Sequence, residues 1–355
     1  MPLLRPRPAA ALALALSGMM RDQRGGTGGG TPRQAGTLSP GTRGQPAPRL
    51  LEAGLLGAEG QILLPGPGSR PGPEPAARRA RSRWLETCAN PGCVSGWLHL
   101  LRSRSTPVFE RGWTCSAACT RIRVAAAVRR DLEGRLSAPE AHRHRIPLGL
   151  TMLEQGWITR EQLRHALEAQ RGAGAGRLGH WLVRQQGVSE KLVTRALGLQ
   201  WSCPVLPLDF HDAEALTGLL PRLFIDAFGA LPLRVAAGQL LYLGFEDRLD
   251  PVLALAIERI TGLRVESGLV QGSLFAPAHL RMLSSKFPRV ELIEASSELA
   301  AVHALTKAIE RARPVDSELV RVHDCLWLRM VLRAQHGPMP DPSSVEDLIC
   351  SIGGH

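Results

Sequence analysis

Between residues 147 and 200 the apolar positions recur every three or four residues. Leu163, Ala166 and Leu167 form one stripe, and Leu192, Ala196, Leu197 and Leu199 form another, so each stretch predicts an amphipathic helix. Polar punctuation agrees with that period. Thr159 followed by Gln162 makes a capping box, in which each side chain satisfies a backbone amide that the first turn leaves open. Gly156 and Gly187 stand where a left-handed residue ends a helix. Ser189 is the expected cap of the second copy, although Leu192 cannot complete a box there.

The pattern changes after Pro204. Short apolar runs at residues 205–208, 231–235 and 240–245 predict strands. Residues 253–260 predict a helix behind Asp250 as cap, with Pro251 in the first turn. Residues 293–334 read as mostly helical with a break near Pro314, and Leu319, Leu326 and Leu328 suggest a core helix. A further short helix is expected at 345–349, and one N-terminal to all of these at 116–132.

The helical stretch repeats itself at a spacing of thirty residues. Leu148 and Gly149 recur as Leu178 and Gly179; Ala166, Leu167 and Gln170 recur as Ala196, Leu197 and Gln200. Neither helical hairpin can hide its apolar face alone, so the two are expected to pack as a four-helix unit.

Cys88 and Cys93 flank a turn sequence, Ala-Asn-Pro-Gly, while Cys115 and Cys119 open the helix at 116–132. A turn with two thiols, a hairpin, and a helix whose first turn carries two more is the layout of a treble-clef zinc finger. Four thiolates make a closed tetrahedral structural site, and a unit this small needs the metal to fold. His99 falls between the pairs on an expected strand, outside the ligand set. Arg102, Arg104, Arg111, Arg121 and Arg123, with Trp97 and Trp113, bring nucleic-acid binding into view; a solvated face with two core tryptophans is the preferred reading. Cys203, Cys325 and Cys350 are dispersed and read as ordinary thiols.

Residues 147–200 resemble the paired helical motifs of the N-terminal domain of type II secretion system protein E, the general secretory pathway ATPase. That pattern runs Arg-Leu-Gly, a glycine, a capped helix and a closing Gln; Arg177-Leu178-Gly179 and Gln200 match it here. Pro221-Arg222-Leu223, Leu231-Pro232-Leu233, Asp250-Pro251 and Ile260-Thr261-Gly262 match the motifs that follow in that family. The resemblance implies either docking to an inner-membrane partner of a secretion or pilus machine, or binding of cyclic di-GMP. For the second use it implies contacts from Leu148, Gly149, Gln170, Arg177, Leu178, Gly179 and Gln200. Pro147 stands where the first copy of the motif has its arginine.

The ATPase is not expected. The chain contains no G-x-x-x-x-G-K-[ST], and none of Lys191, Lys286 and Lys307 follows a glycine. His323-Asp324-Cys325, Asp209, His211 and Asp212 assemble no convincing nucleophile or metal site, so no catalytic residue is assigned. The net charge of +11 comes almost wholly from arginine, which also follows from GC-rich coding, and argues little for nucleic acid. No run of about 18 apolar residues predicts a membrane span. The apolar stretch at 9–16 is too short to be a persuasive leader, and seven cysteines do not suit a disulfide framework, so a cytoplasmic setting is expected.

The whole reads as an α+β chain. Residues 1–83 are low-complexity, rich in Gly and Pro, and expected to be disordered; 84–135 form the four-cysteine, zinc-finger-like unit. Residues 146–275 hold the tandem helical-hairpin repeat and a small α/β subdomain, and 276–355 a helical extension. The expected role is a non-catalytic adaptor docking to a protein of a secretion or pilus-type system. The alternatives are a cyclic di-GMP receptor and a nucleic-acid-binding zinc-finger regulator.

Overall fold

The computed structural model describes residues 87–94, 106–134, 146–208, 212–334 and 339–352. The expectations for residues 1–83, Trp97, His99, Arg102, Arg104, Asp209 and His211 lie outside these. The fold is α+β, and among the described residues no helix is long and apolar enough to cross a membrane.

The Cys-bearing unit is a two-stranded hairpin, β1 (Val108–Phe109) and β2 (Gly112–Trp113), followed by α1 (Ala117–Glu133). Four helices follow: α2 (Leu148–Glu154), α3 (Arg160–Ala173), α4 (Leu178–Gln186) and α5 (Glu190–Trp201). Here α2 packs on α5 and α3 packs on α4, so each copy of the repeat is covered by the other. Six of the seven buried core residues come in pairs thirty positions apart, Met152 with Leu182, Ile158 with Val188 and Ala166 with Ala196, and the seventh, Val193, is matched by half-buried Leu163. Thr159 and Gln162 form both bonds of the capping box. Ser189, by contrast, makes no side-chain cap bond: the Leu192 amide donates to the Ser189 carbonyl at 3.0 Å instead.

Next come α6 (Ala213–Leu216), α7 (Arg222–Phe228), β3 (Ala230–Ala236), β4 (Leu240–Phe245), α8 (Pro251–Thr261), β5 (Arg264–Leu269) and α9 (Gly272–Ser284). The sheet order is β3-β4-β5, antiparallel at the first pair and parallel at the second, with α8 as the crossover. The run at 205–208 contributes only an isolated bridge, Val205 with Leu269, rather than a strand.

The last part corrects the helical expectation for 276–355. It comprises β6 (Arg289–Ala295), α10 (Glu298–Ala312), β7 (Asp316–Val322), β8 (Cys325–Val331) and β9 (Val345–Ile352), in the sheet order β6-β9-β8-β7. Leu319 and Leu328 are cross-strand partners rather than neighbours on a helix, and 345–349 is strand. The physical reason is burial on both faces. Leu319, Leu326 and Leu328 face α1 and α10, while Val320, Val322 and Trp327 face the core of the preceding α/β part. A strand covered on both sides shows a continuous apolar run, without the period of two that would mark it.

This sheet joins the other parts. Phe109, Val124, Ala127 and Val128 of the Cys-bearing unit pack with Leu305 and Ile309 of α10. The β1 backbone bonds to the start of β7, with Val108 N donating to Pro314 O at 2.9 Å and Glu110 N donating to Ser317 O at 2.8 Å. Arg259 of α8 reaches Asp131 of α1 at 3.0 Å, beside the Arg130–Glu110 pair at 2.6 Å. In the sheet's interior, Arg329 and Asp347 face each other across β8 and β9 in a two-pronged pair at 2.9 and 2.8 Å. Arg329 also donates to Leu219 O at 2.8 Å, and Trp327 Nε1 donates to Asp347 at 2.7 Å.

Candidate functional site

In the repeat, the short helices α2 and α4 each begin Leu-Gly, and both glycines are buried. A Cβ on Gly149 would stand 3.1 Å from Leu178 Cδ2 and 2.5 Å from Leu163 Cδ1. A Cβ on Gly179 would stand 3.6 Å from Leu148 Cδ2 and 2.7 Å from Val193 Cγ1. Each copy's leucine therefore lies beside the other copy's glycine, and the missing side chains make room above all for Leu163 and Val193, which stand nearest.

The glutamines obey the same exchange. Gln170, near the end of α3, donates to the Gly176 carbonyl at 2.8 Å; Gln200, near the end of α5, donates to the Ile146 carbonyl at 2.7 Å. Gly176 and Ile146 are themselves equivalent positions, each two residues before the leucine of its copy. The leucine–glycine contacts and the glutamine bonds thus both run between the two copies in equivalent pairs.

The arginines break that equivalence. Arg177 is exposed and forms an ion pair with Asp247, in the loop after β4. Pro147 occupies the corresponding place in the first copy and offers no side-chain donor. A second contact ties the repeat to the α/β part. The Glu190 carboxylate accepts from Ser273 N at 2.9 Å and Gln271 Nε2 at 3.0 Å, at the start of α9. Burial pushes the Glu190 carboxyl up, but the bonds from Ser273, Gln271 and the Gly272 amide together outweigh it and hold it below the ordinary range. Sequence reasoning missed both Asp247 and Glu190. Their partners are distant in the chain, and no local spacing marks such a contact.

The second candidate is the thiol cluster. The sulfurs of Cys88, Cys93, Cys115 and Cys119 all lie within 4.8 Å of one another. Cys93 and Cys115 are 3.5 Å apart, and Cys115 and Cys119 3.7 Å. A tetrahedron of thiolates about 2.3 Å from a zinc ion has edges of about 3.8 Å, so the donor set fits one ion. Ser116 caps α1 by accepting from Cys119 N, and the four-residue spacing brings the Cys115 and Cys119 sulfurs to one side of the first turn. Buried Asn90 donates its amide to Cys119 Sγ at 3.3 Å. Burial pushes the Cys88 thiol up to about 12, so an ion entering the cluster must displace its proton. Burial pushes the thiols of half-buried Cys203 and of buried Cys325 and Cys350 up to about 11, 12 and 11.

Among the described residues weighed for catalysis, Asp212 and His323 make structural contacts. Asp212 caps α6 by accepting from Ala215 N. His323 sits in the β7–β8 turn and bonds Asp250 at 2.8 Å, while the adjacent Cys325 is buried within β8.

No family model matches the chain, and no curated protein matches it. Over part of its length, and at low identity, the chain is structurally similar to N-terminal domains of the type II secretion ATPase family. One of these is MshE with cdg, at 26% identity and a TM-score of 0.32, covering 39% of this chain and 99% of that one. Another is the N-terminal domain of XpsE, at 20% identity and a TM-score of 0.27, covering 38% of this chain and 92% of that one.

Proposed function

We propose that this chain is a non-catalytic cytoplasmic regulator whose repeat module binds cyclic di-GMP. The observation that carries the reading is the reciprocal exchange of leucine and glutamine contacts between the two copies. Two equivalent half-sites suit a ligand whose own halves are equivalent, and cyclic di-GMP has a two-fold axis relating its guanines. Arg177 supplies a planar fork for the O6/N7 edge of one guanine, and Leu148 and Leu178 supply apolar cover for the base faces. With Pro147 in the first copy, one of two such forks is absent. The affinity is therefore lower by about 5- to 150-fold than that of a site with both.

Calorimetry of the full chain with cyclic di-GMP tests this. A saturable heat that disappears in Arg177→Ala supports the reading, and the absence of heat at tens of micromolar ligand removes it.

A second reading, docking to a protein of a secretion or pilus-type machine, is favoured by Ile146, Leu150 and Leu199. These stand exposed on the approach to α2, on α2 and on α5, which pack together. The two roles are compatible, since a ligand beside that face would alter what docks there. The thiol cluster belongs to either reading as a structural zinc site, with Cys88, Cys93, Cys115 and Cys119 as its four ligands in a treble-clef arrangement. Its place is architectural: α1 is packed against α10 and β7 rather than displayed as a reading helix.

A further inference from the structure

A cavity of about 300 Å³ lies on the seam between the Cys-bearing unit and the end of α10, walled by Pro107, Trp113, Thr114 and Ser116 on one side and by Glu310 and Arg313 on the other. We propose that it is a binding site for a small zwitterion, a free α-amino acid, whose ammonium group meets Glu310 and whose carboxylate meets Arg313. The site is separate from the repeat and stands or falls independently of the receptor reading.

The two charges carry the inference. Glu310 and Arg313 are three residues apart at the end of α10, a spacing at which opposite charges ordinarily meet. They do not meet here, and among the described residues neither has an ion-pair partner. The backbone explains the separation. Arg313 is the left-handed C-cap of α10, at φ 45 and ψ 55, so its side chain leaves the helix face that Glu310 occupies. Glycine is the usual occupant of that conformation. The Arg313 guanidinium donates from Nη2 to the Thr106 carbonyl at 3.1 Å, which holds it at the cavity wall with Nη1 and Nε uncommitted.

Glu310 is held from the other side. Thr120 Oγ1 lies 2.5 Å from Glu310 Oε1, and an ionised carboxylate only accepts, so Thr120 donates. Thr114 Oγ1, 2.8 Å from Thr120 Oγ1, must then donate to Thr120 in turn. Both threonines are buried, and Glu310 Oε2 takes no part in the chain. A simple anion drawn to Arg313 meets the Glu310 charge in the same cavity, and a simple cation drawn to Glu310 meets Arg313. A molecule carrying both charges satisfies both. Ligand pockets span about 300–1,000 Å³, and this one stands at the lower bound, which suits an amino acid rather than a nucleotide.

Thermal shift of the full chain with each of the twenty common L-amino acids at about 5 mM, followed by calorimetry of those that stabilise it, tests the site. At least one with a short side chain should bind at one per chain with a Kd of about 0.1–1 mM. Its amide, which lacks the carboxylate, and its N-acetyl derivative, which lacks the ammonium, should each bind at least about tenfold more weakly. Glu310→Gln should lose about tenfold and cease to discriminate against the N-acetyl derivative; Arg313→Gln should do the same for the amide. The two derivatives probe both charges on the natural chain, so the comparison survives a variant that does not fold. Binding of none of the twenty overturns the proposal. So does equal binding of the amide and the N-acetyl derivative with their parent, or undiminished binding by both folded variants, which would place the ligand elsewhere.

Discussion

His323 Nε2 lies 2.8 Å from Asp250 Oδ2, so the turn of the β7–β8 hairpin is fastened to the residue that caps α8. Phe228 stacks on the same imidazole with ring centroids 5.2 Å apart, and Asp250 also accepts from Leu253 N at 2.9 Å. Burial pushes the Asp250 carboxyl up. The hydrogen bond and charge of His323 with the amides of Leu253 and Val252 outweigh that, and hold it below the ordinary carboxylate range.

The sign of the resulting pH dependence follows. A carboxyl depressed on folding contributes fully above the value near 4 of an unfolded aspartate, and the contribution is lost as pH falls through the lower folded value. Asp250→Asn keeps a competent cap but loses the charged bond to His323. It should destabilise the chain by about 1–2 kcal/mol at neutral pH and by progressively less in acid. Denaturant unfolding at a series of pH values measures it; a difference that does not change with pH contradicts the assignment.

Because Gln170 and Gln200 make equivalent bonds, their removal should have equivalent consequences. Gln170→Ala and Gln200→Ala are each expected to cost about 0.5–1.5 kcal/mol. Thermal melts of the two single variants should shift downward by similar amounts. A large shift in one and none in the other would show that the two copies are not energetic equals.

Metal removal acts on a defined region. Zinc should be present at one ion per chain and be lost in Cys115→Ser. Chelation should raise hydrogen exchange in Val108–Phe109 and through Ala117–Glu133, since the cluster anchors the hairpin and the first turn of α1. Exchange in the repeat, whose core is separate, should stay as it was. Full zinc retention by Cys115→Ser would dismiss the site.

The pair Arg329 and Asp347 is almost wholly buried. Asp347→Ala leaves the guanidinium without its charge partner and is expected to cost about 3–5 kcal/mol. Loss of less than about 1 kcal/mol in equilibrium unfolding would mean that water reaches Arg329.

What the sequence displayed, it displayed through local spacing. The repeat was visible because its buried residues recur at a fixed offset, and the caps at Thr159 and Asp250 because their side chains bond residues three positions ahead. The thiol pairs were visible for the same reason, and their convergence is what the hairpin between them accomplishes. The sheet formed by β6 to β9 was not visible. β8 is Cys-Leu-Trp-Leu-Arg-Met-Val, apolar on both sides, and its partner β9 lies beyond a connection too long to read as a hairpin, although Gly337-Pro338 and Asp341-Pro342 mark turns within it. Asp247 was hidden for a different reason: a single contact between parts leaves no period in either.

In its sheet, β9 lies inside, between β6 and β8, although it follows both in the chain. Synthesis from the ribosome therefore delivers β6, α10, β7 and β8 with a gap where their central member belongs. The edges of β6 and β8 stay open until residue 352 has emerged. A nascent chain stalled before residue 345 would present two unpaired strand edges to its neighbours, so the interval before completion is when this protein most needs shielding from aggregation.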